Sequence, residues 1–171
     1  MLATAASCAS AQWYGELTYV SATTKYSSSN TNIESNPKSI GAYIGYQLND
    51  NFAAEGLIGT GIGGTDVKVN GASQNNPVTA KTDYLYGAFV KAKNNLSEEV
   101  EVFGRLGYLE GKTTSSNTSA SSSTVKGDWA YGLGTNYYVN KKTYVSASWM
   151  SLYNKENVKS SGWTIGLGFK F

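Results

Sequence analysis

The sequence has no histidine, one cysteine (Cys8), two prolines and few charges, 15% of residues for a formal net charge of +2. Each scarcity excludes something. Without histidine there is no Ser/His nucleophile pair and no His-ligated metal. A lone cysteine forms no internal disulfide and no Cys/His metal cluster. A weak, balanced charge points to no polyanion partner, so no nucleic acid is expected. No cofactor motif is present. The glycine cluster "GTGIGG" (Gly59–Gly64) has no strand–loop–helix unit around it and reads as packing space, not a phosphate cradle. No apolar run reaches the length of a membrane helix, which leaves a membrane β-barrel open because its strands carry a weaker signal.

What is present is alternation. Aromatics make up 13% of the chain, with Tyr dominant, and 19 residues are glycine. Period-two patterning recurs over residues 12–25, 39–48, 52–63, 81–93, 99–110, 125–139, 142–153 and 161–171, and predicts eight strands. Most reach the ~9–11 residues that a tilted strand needs to cross a bilayer. Three connections are short: "NDN", "NNLSE" and "NKK". Four are longer and polar: "SSSNTNIESNPK", "GTDVKVNGASQNNPVTA", "GKTTSSNTSASSST" and "NKENVKSS". Long and short alternate strictly. In a meander this collects the short turns at one end and the long loops at the other, as in outer-membrane barrels. The long loops are expected to be mobile and hold no aromatic or Arg anchor cluster, so no specific partner is legible in them.

The two faces of the strands differ. Ile40, Ala42, Ile44, Tyr46 and Leu48 oppose Gly41, Tyr43, Gly45 and Gln47. Val100, Val102, Gly104, Leu106 and Tyr108 oppose Glu101, Phe103, Arg105 and Gly107. One face is apolar without charge; the other mixes glycine with isolated polar and charged groups, which suits a narrow lumen better than a solvated surface. Aromatics on the apolar face sort by height. With the short-turn end called the bottom, Tyr84, Tyr108, Trp129, Tyr153 and Trp163 fall near the top. Trp13, Tyr46, Phe52, Tyr137, Phe169 and Phe171 fall near the bottom. These are two interfacial girdles. The expected fold is therefore all-β: an eight-stranded antiparallel up-and-down transmembrane β-barrel over residues 12–171, its apolar face in lipid. Residues 1–11, ending in Ala9-Ser10-Ala11, read as a signal-peptide remnant, although the basic and apolar segments of a full signal are missing.

Eight strands leave a lumen that side chains fill. The inward charges are expected to be Glu16, Glu55, Lys91, Glu101, Arg105 and Lys170, three acidic and three basic. Confined charges must neutralise one another. The expected arrangement is a salt-bridge plug around Arg105, paired with Glu101 or Glu55. Read structurally, this is a packed polar core; read functionally, it is a gate or narrow ion path. Asp83 and Asp128 are expected near the upper mouth, where a catalytic carboxylate pair is formally conceivable.

The final segment "TIGLGFKF" resembles the C-terminal β-signal of bacterial outer-membrane proteins: Thr164, Gly166, Phe169 and Phe171 fill its polar, glycine and two aromatic places. The whole length resembles small outer-membrane barrels of the OmpA-transmembrane-domain and OmpX type. That resemblance implies outer-membrane lipid and the barrel-assembly machinery as partners, a monomer, extracellular long loops and periplasmic termini. Unlike in full-length OmpA, no peptidoglycan-binding domain is read after the barrel, so anchoring to the cell wall is not expected. Lipid A deacylase and omptin-type barrel enzymes depend on histidine, so a non-enzymatic structural or surface-interaction role is expected. A narrow porin-like channel for ions or small solutes is one alternative; a soluble lipocalin-like binding barrel is another.

Overall fold

The computed structural model describes residues 12–28, 31–73, 79–116, 121–155 and 157–171. The signal-remnant reading and Cys8 lie outside them. The eight barrel strands are β1 (Trp13–Ser28), β2 (Lys38–Gln47), β3 (Phe52–Gly61), β4 (Thr79–Asn95), β5 (Val100–Ser116), β6 (Ser121–Tyr138), β7 (Thr143–Lys155) and β8 (Val158–Lys170). Each pairs antiparallel with its chain neighbours. The sheet closes through β1 and β8, from Tyr14 opposite Lys170 to Tyr26 opposite Val158. Closure gives every strand a hydrogen-bonded neighbour on both sides, which a backbone surrounded by hydrocarbon requires.

The three lower turns share one construction. Asn49 Oδ1 accepts from the backbone N–H of Asn51 and Phe52, both at 2.9 Å. Asn140 Oδ1 accepts from Lys142 (2.9 Å) and Thr143 (2.8 Å). Ser97 Oγ accepts from Glu99 (3.3 Å) and Val100 (3.0 Å). A short polar side chain thus mimics the missing backbone partner, which is why Asn and Ser stand at these corners.

The upper end departs from expectation. The stretches read as long mobile loops are largely strand. β5 runs to Ser116 and β6 starts at Ser121, so most of "GKTTSSNTSASSST" is paired wall. Hydroxyl pairs hold it: Thr114 with Ser123 (2.8 Å) and Ser116 with Ser121 (3.0 Å). Cross-strand Thr/Ser pairs substitute there for the apolar packing that pattern reading looks for. The segment Thr31–Ser35 adds to the top of β1 and to Lys68–Val69, which forms a hairpin with Ala72–Ser73. Its turn is Asn70-Gly71, both at positive φ (51° and 81°), the pairing a type I′ turn demands. β7 reaches Lys155 and β8 begins at Val158, so the last connection is not long.

Side chains obey the expected two faces over the lower and middle barrel. Leu17, Ile44, Ile58, Leu106, Leu133, Ile165 and Leu167 all point outward and are more than half exposed in the isolated chain. Glu16, Tyr43, Glu55, Phe89, Lys91, Phe103 and Arg105 point inward and are buried. From Trp129 to Tyr137, the outward aromatics that bracket β6, the wall measures roughly 27 Å along the strand at ~3.4 Å per residue. At the usual tilt that is about 20 Å of depth, near the ~25 Å apolar band of such barrels. A water-soluble lipocalin-like barrel has no use for this continuous apolar coat.

Two bulges change the parity near the top. One, between Thr82 and Tyr84, turns Asp83 away from the lumen toward Thr114, whose hydroxyl donates to its carboxylate at 2.6 Å. The other, between Ser151 and Tyr153, brings Tyr153 to the lumen, so it is not part of the outer girdle. A bulge adds one residue to one strand and so inverts every face beyond it.

Glycine makes room for the lower tyrosines. A Cβ on Gly168 would fall within the Tyr144 ring, and one on Gly45 within the Tyr14 ring; at outward Gly56 nothing lies within 4 Å. Gly168→Ala is expected to destabilise the folded barrel by about 1–3 kcal/mol through overpacking. Gly56→Ala is expected to be neutral or slightly stabilising. Urea unfolding in phospholipid vesicles measures both; equal effects would contradict the packing.

Candidate functional site

The lower lumen contains two layers of paired charge. In the first, Arg105 of β5 crosses the lumen to β3 and β1. Its Nε donates to Glu55 Oε2 at 2.7 Å and its Nη2 to Glu55 Oε1 at 3.2 Å, the bidentate geometry that a guanidinium favours. The same Nη2 reaches Glu16 Oε2 at 3.0 Å. Two tyrosine hydroxyls add to the carboxylates: Tyr14 donates to Glu55 (2.5 Å) and Tyr144 to Glu16 Oε2 (3.3 Å), while Glu16 Oε1 is buried without a hydrogen-bond partner among the described residues. The Tyr43 ring covers the guanidinium at 4.1 Å, with Phe103 at 4.6 Å. Arg105 therefore takes Glu55 and Glu16, not Glu101.

Glu101 is the centre of the second layer, toward the short-turn end. Lys91 (3.3 Å) and Lys93 (3.1 Å) pair with it, while Asn136 Nδ2 (2.8 Å) and the Tyr138 hydroxyl (3.0 Å) donate to it. Lys91 Nζ also lies 4.3 Å from the Phe103 ring centre and 5.3 Å from that of Tyr14, so it spans the gap between the layers. Lys170 sits over the Tyr138 ring at 4.2 Å. Glu16, Glu55 and Glu101 balance Arg105, Lys91 and Lys93, three against three, and the side chains of all six are at least nine-tenths buried. Among the described residues, this cluster fills the lower lumen with neutralised charge and aromatic rings.

Sequence reasoning placed five of those six inside and missed Lys93, which shares the parity of Lys91 and stood at the edge of the expected strand. It also passed over Tyr14, Tyr138 and Tyr144, whose parity with Glu16, Asn136 and Ser146 was legible.

At the upper rim, above the aromatic girdle, Asp128 accepts from Lys155 (2.7 Å) and from the backbone N–H of Trp129 (2.8 Å) and Asn154 (3.0 Å). The Lys155 hydrogen bond, with the two backbone donors, holds the Asp128 carboxyl below its ordinary value, and Lys155 is raised in return. Asp83 faces Thr114, so the two carboxylates take different partners and are not assembled as an acid/base pair.

On the outer face Trp13 packs on Tyr46 (4.9 Å between ring centres), with Phe52, Tyr137, Phe169 and Phe171 also exposed at the lower level. Tyr108 packs edge-on to Trp129 (6.3 Å), with Tyr84 and Trp163 exposed at the upper level. Thr164 faces inward beside Ser148, Gly166 lies against Glu16, and Phe169 packs on Phe171 at 5.7 Å.

A family model described as outer membrane protein beta-barrel domain matches residues 1–171. No curated protein matches in sequence. Among solved structures, Ail, the attachment invasion locus protein of Yersinia pestis, superposes with a TM-score of 0.65 at 20% identity, covering 94% of this chain and 99% of that one. The N-terminal β-barrel domain of Pseudomonas aeruginosa OprF gives 0.64 at 16% identity, covering 94% and 99%. Neisserial surface protein A gives 0.62 at 16%, covering 93% and 97%. At these identities the likeness is one of fold.

Proposed function

The chain belongs to the outer membrane protein beta-barrel domain family, and from that premise we propose a non-catalytic barrel of the bacterial outer membrane with a structural or surface-interaction role. The observation that carries this reading is the neutral, buried cluster around Arg105 and Glu101, which leaves charge paired where a channel needs a hydrated path. The contacts of the lower lumen are those of a load of packed side chains, and ions crossing it would have to part a bidentate ion pair. The lower turns face the periplasm and the extended upper wall the exterior. The chain works as a monomer, and its last strand, with Phe169 and Phe171, is its handle for the barrel-assembly machinery. Catalysis finds no support in the rim carboxylates, which are separately engaged.

The test is electrical. Purified protein refolded into planar bilayers is expected to be silent at moderate voltage. Steady single-channel openings from the intact barrel would overturn the structural reading in favour of a narrow channel.

A further inference from the structure

The outer wall is not uniform around the cylinder. In one row of its middle, Leu167, Leu17, Ala42 and Ile58 stand side by side on β8, β1, β2 and β3. Ala42 is small between two large neighbours, and Tyr19, Ile40 and Ile165 form the row above. The result is an apolar groove of about 880 Å³ on the outer face. Higher on the same seam lies a second hollow of about 660 Å³, lined by Thr23, Lys25 and Ser27 of β1, Lys159 and Ser161 of β8, and Asn157. Its character is reversed. Among the described residues its lining holds two ammonium groups, hydroxyls and an amide, and no carboxylate.

Lys25 and Lys159 are direct cross-strand partners. Like charges so placed repel and destabilise a sheet. The relief within the chain is slight. Glu34, beside Lys25 in the same row, reaches it at 3.7 Å, with both side chains exposed. Lys68 flanks Glu34 on its other side, so the row sets three lysines against one glutamate. The Thr23 hydroxyl already donates to Asn36 at 2.9 Å. Heights matter next. Leu17 stands midway between Trp13 of the lower girdle and Ser21, which pairs with Trp163 of the upper girdle. Lys25 is eight residues above Leu17. That is roughly 27 Å along the strand at ~3.4 Å per residue, or about 20 Å in depth at the usual tilt. Headgroups occupy about 15–22 Å from the midplane of a bilayer. The groove therefore lies at acyl-chain depth and the lysine pair at headgroup depth, on the same strands.

We propose that the seam where β8 meets β1 binds one lipid whose headgroup carries a phosphate monoester, its chain along the Ala42 groove and its phosphate between Lys25 and Lys159. A phosphate monoester bears nearly two negative charges at neutral pH, which matches two facing ammonium groups. A phosphodiester bears one and leaves half of the repulsion. The occupant is a lipid and not free phosphate, because the groove and the lysine pair lie one above the other at the depths of chain and head. This deepens the surface-interaction reading and rests on the barrel spanning a bilayer.

The experiment uses the full chain refolded into phosphatidylcholine nanodiscs doped stepwise with phosphatidic acid, with ¹⁵N amide and ¹³C-methyl Ile labels. Saturable shifts are expected together at the amides of Lys25, Lys159 and Ser161 and at the methyls of Ile40, Ile58 and Ile165. Phosphatidylglycerol, an anionic diester, is expected to need about fivefold more for half-saturation, the worth of one exposed ion pair. Lys25→Gln combined with Lys159→Gln is expected to raise the half-saturating fraction of phosphatidic acid about tenfold, the worth of two such pairs. Lys112→Gln, on β5, is expected to leave it unchanged. Ala42→Leu, which fills the groove, is expected to remove the response of Ile40 and Ile58. If phosphatidylglycerol titrates at the same fraction as phosphatidic acid, the wall senses surface charge alone and the proposal fails. It fails equally if the double lysine variant titrates like the unaltered chain. If inorganic phosphate shifts the three amides while no lipid moves the Ile methyls, the hollow takes a free anion and the lipid site is overturned. The result is separable from conductance. A barrel that conducts steadily yet shows the titration loses the structural reading and keeps the site; a silent barrel without the titration keeps the reading and loses the site.

Discussion

Arg105→Met is expected to cost the folded barrel about 3–5 kcal/mol, because it strands two buried carboxylates without the guanidinium that pairs with both. Glu55 loses two donors from Nε and Nη2, and Glu16 loses one. The tyrosines remain, but a single hydroxyl on each carboxylate does not replace a guanidinium. The triple variant Glu16→Gln, Glu55→Gln, Arg105→Met is expected to recover most of the loss. Each glutamine carbonyl still accepts from Tyr14 or Tyr144, and no charge is left in the Arg105 layer, while in the layer below Lys91 and Lys93 outnumber Glu101 by one. The measurement is urea unfolding of protein refolded into phospholipid vesicles, followed by intrinsic fluorescence and gel mobility. A loss below about 1 kcal/mol for the single variant would mean that water screens the pair as it does at a surface. A triple variant no more stable than the single one would mean that the lost packing, and not the stranded charge, set the cost.

The faces of the barrel were legible because strand side chains alternate without exception until a bulge intervenes. Val100 to Tyr108 and Trp129 to Tyr137 declare lipid on one side and lumen on the other with no knowledge of the neighbours. The bulges at Thr82/Tyr84 and Ser151/Tyr153 carry no comparable signal, so Asp83 and Tyr153 were placed on the wrong faces. The upper wall was misread for a different reason. Its hydroxyl pairs, such as Thr114 with Ser123, depend on both strands being aligned, and neither strand alone announces the partner. The Asn70-Gly71 turn did announce itself, but stood in a stretch already read as loop. The partners of Arg105 were the hardest part. Glu101 is on the same strand, and Glu16 and Glu55 arrive from β1 and β3 at heights fixed by the stagger of the closed sheet. That stagger belongs to the cylinder and is invisible in a pattern of single strands. The lysine pair on the seam was likewise hidden, since Lys25 and Lys159 face each other only on closure.

Leu133→Arg tests the medium against which the outer face evolved, and is expected to destabilise the barrel by about 2–4 kcal/mol in vesicles. Leu133 is 72% exposed in the isolated chain and touches little that a longer side chain would disturb. In water such a change at a surface position stays within roughly 0.5 kcal/mol. The penalty is therefore almost wholly the cost of a cation in hydrocarbon, and it should depend on depth. Leu133 stands midway between Trp129 and Tyr137 on β6, so the guanidinium has the longest reach to either headgroup layer. Tyr137→Arg, on the same strand at the lower girdle, is expected to cost only about 0–1 kcal/mol, because its cation reaches the interface at once. The reversible unfolding free energies of the two variants in the same vesicles give the comparison directly. Equal penalties at both depths, or none at Leu133, would mean that the greasy coat of this cylinder does not meet a bilayer core, and the height-sorted aromatics would then need another cause.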